Sequence, residues 1–122
     1  MLDSIGQIAI VIHDLDRAVE FYRDKLELPL LFQVPPRMAF FQCGPTRLML
    51  SLPEGAEHDH PGSILYFKVA DLAATHATLV GRGVAFVSPP HVVHRDPKYE
   101  LWMAFFQDPD RNSYALMSEE PL

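Results

Sequence analysis

Only one cysteine, Cys43, occurs in the 122 residues. It cannot form an internal disulfide, and a lone thiol suits a reducing, cytoplasmic setting. Basic residues are few: ten Lys and Arg stand against sixteen Asp and Glu, for a net charge of -6. No block of Lys or Arg occurs, which argues against nucleic acid and against an anionic membrane surface. No apolar run approaches the ~20 residues a bilayer span requires. The N-terminus, Met-Leu-Asp-Ser, has no basic segment leading into a hydrophobic one, so no signal peptide is expected. No Gly-rich phosphate loop and no Ser-His-Asp pattern is visible.

What remains is a chain of the right size for one compact domain, residues 1–122, with a core of its own. Apolar residues make up 48% and charged residues 21%, the balance of a soluble globule. Residues 7–26 set the plan. Ile8, Ile10, Val11 and Ile12 form a β-branched run that reads as a strand. Asp14 or Asp16 can cap a following helix and suits its dipole. Ala18, Phe21, Tyr22, Lys25 and Leu26 then fall on one helical face, and Pro29 ends the element. The plan returns 57 positions later. Ile64 to Leu72 aligns on Gln7 to Leu15, and a helix from Leu72 to Val80 follows, stopped by Gly81 and Gly83.

The first half continues with an extended stretch 28–34, a Pro35-Pro36 turn, a strand Met38 to Cys43, a Gly44-Pro45 turn and a partner strand 47–52. A polar connector spans about 54–62. The second half repeats the order from about 63 to 120. A short strand 84–87 precedes a second long loop, 89–97, carrying His91, His94 and Arg95. A strand 101–107, a turn 108–112 and a last strand 113–117 follow, and 119–122 reads as a tail. Each unit is thus βαβββ, a sheet with one helix on it, whose other face needs a different cover. Alternation gives Ile8, Ile10 and Ile12 one face and Gln7, Ala9 and Val11 the other. In the repeat, Leu65, Phe67 and Val69 oppose Ile64, Tyr66 and Lys68. The bulky sets belong under the helices, and the mixed sets belong to a ligand-facing surface.

At this point the chain resembles the vicinal oxygen chelate superfamily, the glyoxalase, bleomycin-resistance and extradiol dioxygenase family. Asp14-Leu-Asp-Arg-Ala-Val-Glu-Phe-Tyr22 is similar to its strand-to-helix signature, and Phe105-Phe-Gln-Asp-Pro-Asp-Arg-Asn112 is similar to its last hairpin, which usually has Gly where Arg111 stands. The resemblance implies an α+β fold of two βαβββ modules. Each is a curved mixed sheet with one helix on its convex face, here near 15–26 and 72–80, and together they form a barrel-like cavity. It also implies a homodimer, which exposed sheet edges would favour. Catalytic members hold a divalent metal with four inward His, Glu or Gln side chains. Those positions carry over to Gln7, Met49, Ile64 and Ala115. Two have no donor atom and a thioether is too soft for a hard ion, so no metal and no cofactor is expected.

Other candidates are weaker. His58 and His60 read as solvated loop residues, and His91 with His94 is too few ligands for zinc. His13 and His76 read as structural or surface groups, and Cys43 has no base beside it. The expected function is therefore metal-free small-molecule binding. An enzyme is the alternative, either a metal-dependent lyase, epimerase or dioxygenase or a metal-free one acting through His94, Arg95 or Tyr66, and a purely structural dimer with a filled cavity is a third. The expected ligand-binding residues are Gln7, Arg47, Met49, Tyr66 and Trp102, with His94 and Arg95 in a loop that closes over the ligand.

Overall fold

The computed structural model describes residues 1–122. They form two compact units, Met1–Gly62 and Ser63–Leu122. Each is an α+β module whose sheet does not close on itself.

The first unit runs β1 (Gln7–Val11), α1 (Leu15–Val19), a π-helical turn (Glu20–Lys25), β2 (Leu30–Val34), β3 (Met38–Cys43) and β4 (Thr46–Ser51). Its strand order is β1-β4-β3-β2, with β1 parallel to β4 and the rest antiparallel. Of the two aspartates able to start α1, Asp14 does so: its Oδ1 accepts the Arg17 amide at 3.0 Å, satisfying a first-turn donor. The helix does not run regularly to Pro29. It widens into π geometry after Val19, Leu26 N–H donates to Phe21 O, and Glu27 leaves it with φ 58. Ile10 and Ile12 are buried with Leu48, Leu50, Ala39 and Phe41. Tyr22 packs on Phe41 at 5.9 Å between ring centroids. Ile8 shares this covered face but is only half-buried.

The second unit runs β5 (Leu65–Lys68), α2 (Leu72–Gly81), β6 (Ala85–Phe86), β7 (His91–Arg95), β8 (Tyr99–Gln107) and β9 (Ser113–Pro121). Asp71, the repeat of Asp14, caps α2 by accepting the Ala74 amide at 3.0 Å. The helix persists through Gly81, and Gly83 makes the turn at φ 83. β5 lies parallel to β9, and β8 is antiparallel to β9.

The second unit departs from the sequence expectation in its strands and in its burial. The 89–97 loop holds a strand: β7 pairs with β8 from Glu100 to Met103, and β6 pairs with β8 at Phe106 and Gln107. One edge position is therefore filled by two short strands. Pro89 and Pro90, which cannot donate to a ladder, fall at the break. Between the pieces, Ser88 Oγ accepts the Phe105 amide at 3.1 Å. The residues after 118 are not a tail either. β9 continues to Pro121, paired with Tyr99, because the long β8 offers it a partner to the end. Leu65 and Phe67 share the helix face as expected but are half-buried rather than buried; Phe67 packs edge-on against Tyr114 at 5.4 Å.

The 54–62 connector contains a short 3-10 turn, Ala56–His58. It is tied to the end of β1 by His13 Nε2 and Asp59 Oδ1 at 2.8 Å.

Candidate functional site

In the first unit, α1 covers one face of the sheet, and Gln7, Ala9, Arg47, Met49, Phe40 and Phe32 share the other. The register places them side by side: Gln7 beside Arg47, Ala9 beside Met49, Met49 beside Phe40, and Phe40 beside Phe32. Arg47 Nε donates to Gln7 Oε1 at 2.7 Å. The Gln7 amide nitrogen lies 3.7 Å from Met49 Sδ, a weak acceptor. The Arg47 guanidinium sits over the Phe40 ring, 5.5 Å from its centroid, and Phe40 stacks on Phe32 at 4.4 Å and 24°. Phe32 is 48% exposed. The arrangement is a cation held beside a two-ring stack whose outer ring, Phe32, is exposed and whose inner ring, Phe40, is half-buried. Gln7 supplies the neutral oxygen that orients the fork, so the guanidinium retains its charge and its terminal N–H groups. A flat molecule with an acidic group matches both halves of this surface.

Gln7, Arg47 and Met49 were legible in the sequence as candidates, and they do come together. Phe32 and Phe40 were missed. Period two within 38–43 separates Phe40 from Phe41, but pairing Phe32 with Phe40 requires a register shift in β2 between Leu30 and Phe32. No local signal announces that irregularity.

The remaining expected residues lie in the second unit and do not form one group. Tyr66 is on the open face, 46% exposed, with Phe105 edge-on at 6.2 Å. His94 lies on the same face, paired with Leu101 in the ladder. Arg95 is committed to an ion pair, 2.5 Å from Glu100 Oε2. Trp102 is on the opposite face, with Ala104 and Phe106, because Trp102 and Ala104 pair with Ser118 and Leu116 while Ala115 shares the face of Tyr66. Its indole N–H points to Glu100 Oε1 at 3.3 Å. A cavity of about 350 Å³ opens beside it at the first turn of α2, lined by Asp71, Leu72, Pro90, Glu100 and Glu120. The carboxylates there already have work: Asp71 caps the helix, Glu100 holds Arg95 and Trp102, and Glu120 accepts the Ser118 hydroxyl at 2.5 Å.

The four positions that would carry a divalent metal do not fit one. Gln7 Oε1 is engaged by Arg47, and the positive guanidinium beside it opposes a cation. Met49 offers sulfur, and Ile64 and Ala115 offer no donor atom. No three His, Cys, Asp or Glu side chains converge into a metal-holding group. Cys43 is not a ready nucleophile: burial pushes its thiol pKa up, which keeps it protonated at neutral pH.

Residues 4–116 match the family described as the Glyoxalase/Bleomycin resistance protein/Dioxygenase superfamily. The chain belongs to this superfamily. It is 32% identical over 120 residues to an uncharacterized protein, YraH, of Bacillus subtilis (strain 168), covering 87% of this chain and 91% of that one. Among solved structures, it is similar to a superfamily member from Sphaerobacter thermophilus DSM 20745, with a TM-score of 0.80 at 24% identity over 97% and 98% of the two chains. It is also similar to TnmS3, an antibiotic binding protein from Streptomyces sp. CB03234, with a TM-score of 0.75 at 25% identity over 98% of each chain. The superfamily thus spans binding proteins and enzymes, and residues rather than fold must separate them. No helix of this chain is long and apolar enough to cross a membrane.

Proposed function

We propose that this chain is a metal-free small-molecule-binding protein of the glyoxalase/bleomycin-resistance type, acting as a homodimer, and that its first module recognises a flat aromatic acid. The observation that carries this reading is Arg47. It has no carboxylate partner of its own, it is oriented by Gln7, and it lies over half-buried Phe40, which stacks on exposed Phe32. An exposed guanidinium ordinarily pairs with whatever acid is near, so one held against rings by a neutral amide is suited to an acid brought in from outside. Gln7, Arg47 and Met49 form the wall with Phe32 and Phe40. The likeness to an antibiotic binding protein supports binding as the action, and the lone thiol suits a reducing compartment.

Thermal-shift screening with flat aromatic acids tests the reading, since a ligand that binds only the folded state raises Tm by mass action. The acids are expected to stabilise the wild type and to lose that effect in a Gln7→Ala, Arg47→Met double variant. Identical shifts in the two proteins would refute the site. Elemental analysis after dialysis tests the metal-free part. Stoichiometric Zn, Ni, Mn or Fe that vanishes in Gln7→Ala would overturn it in favour of a metal-dependent lyase, epimerase or dioxygenase. Light scattering that returned a monomer mass at micromolar concentration would refute the dimer.

A further inference from the structure

The open face of the second module carries a histidine whose proton is placed by its surroundings. His91 pairs with Met103 in the β7–β8 ladder, which puts its ring on the face of Tyr66, Phe105 and Ala115. Its Nδ1 lies 2.7 Å from the carbonyl oxygen of Pro89. A carbonyl oxygen only accepts, so Nδ1 carries the proton of the neutral ring and Nε2 keeps a lone pair. The imidazole stacks on Phe105 at 6.2 Å and 29°, and Tyr66 meets Phe105 edge-on from the other side at 6.2 Å. Ala115 stands between Tyr66 and Phe105 in the register and is fully buried by its neighbours. A methyl group at this position places no longer side chain between Tyr66 and Phe105, and Tyr66 is 46% exposed while Phe105 and His91 are half-buried.

We propose that this row, Tyr66, Phe105 and His91 above Ala115, binds a flat aromatic molecule bearing a neutral hydrogen-bond donor, a phenol or a ring N–H, with the donor accepted by His91 Nε2. The partly exposed rings supply a stacking surface, and the lone pair supplies direction. The same lone pair disfavours a carboxylate, which brings acceptors only. The second module therefore selects a different chemistry from Arg47, and the inference stands independently of the reading of the first module.

The test uses the full chain labelled with 15N and three naphthalene probes: 2-naphthol, 2-methoxynaphthalene and 2-naphthoate. The first two share a ring system and differ in the donor. Long-range 15N correlations of the His91 ring are expected to show the Nδ1–H tautomer. 2-Naphthol is expected to shift the amides of Tyr66, His91, Phe105 and Ala115 and to bind about fivefold more tightly than its methyl ether, the range of one net hydrogen bond. In His91→Asn the shorter amide keeps a donor near Pro89 and removes the Nε2 acceptor. There the preference is expected to fall to about one while the ether still binds. Equal affinity for the two probes, a preference that survives His91→Asn, an Nε2–H tautomer, or no shift at these four amides would each overturn the inference. So would a second copy of the chain covering this face, seen as His91→Asn changing the mass in light scattering with no naphthol response in the wild type. 2-Naphthoate reports separately at the Gln7 and Arg47 amides: its failure there refutes the first-module reading and leaves this one standing.

Discussion

Replacing Arg47 by Met removes a charge from the first-module site while keeping a long side chain beside Phe40. The loss of affinity for 2-naphthoate can be worked from the contacts. A hydrogen bond to a charged group is worth roughly 1.5–3 kcal/mol. Arg47 is exposed, so water and salt compete and the lower end applies, about 1.5 kcal/mol or tenfold in Kd. Gln7 acts through Arg47 by holding Nε at 2.7 Å. Freeing a long side chain that binding must then order again costs about 0.5–1 kcal/mol. Gln7→Ala is therefore expected to weaken binding roughly two- to fivefold on that scale, with little further loss when added to Arg47→Met. Arg47→Lys keeps the charge and loses the planar fork over Phe40, so it belongs between the two. Stability is expected to change by less than about 0.5 kcal/mol in all three, since the side chains are exposed. Isothermal titration with 2-naphthoate at two salt concentrations, beside urea unfolding of each variant, measures both quantities. An Arg47→Met protein that bound 2-naphthoate within twofold of wild type would refute the argument. So would equal Gln7→Ala losses in the wild-type and Arg47→Met backgrounds.

Ile10 is 7% exposed under α1, and Ile10→Ala is expected to cost roughly 2–4 kcal/mol through the cavity it leaves; urea unfolding reads it, and a loss under about 0.5 kcal/mol would contradict the register of β1. Asp108 is 5% exposed, and its carboxylate accepts the Asp110 and Asn112 amides at 2.9 and 2.8 Å and the Asn112 side chain at 2.7 Å. Asp108→Ala leaves these donors without that acceptor and is expected to cost roughly 2–4 kcal/mol in the same assay. Asp96 accepts the amides of Lys98 and Tyr99, and its carboxyl is held below its ordinary value, first of all by the Lys98 amide. A depressed carboxyl contributes its stability above the ordinary carboxylate range and loses it as pH falls through the lowered value. Faster hydrogen exchange at Lys98 and Tyr99 is therefore expected only in that acid window, and an Asp96→Asn protein should show no such step.

The sequence alone determined the faces of the first strands and the starts of both helices, which depend on local alternation and on the repeat, but not the π-helical turn after Val19. Asp14 and Asp71 stand 57 positions apart and cap equivalent helices. Strict alternation in Gln7 to Ile12 allows one assignment of faces, because one set is aliphatic and the other mixed. That contrast is absent from 99–107. Leu101, Met103 and Phe105 form one apolar set and Trp102, Ala104 and Phe106 form another, so composition cannot say which set meets α2. Only pairing with β9 decided it, sending Trp102 to the helix side and Phe105 to the open face. The strand His91–Arg95 depended on tertiary structure for a similar reason. A short segment after two prolines has little strand signal of its own, and it became a strand because β8 presented a free edge to it. The open-face partners followed from the same non-local choices. Arg47 over Phe40, Phe40 on Phe32 and His91 on Phe105 are contacts between strands, and strand register is set by the packing of whole faces rather than by the residues that finally touch.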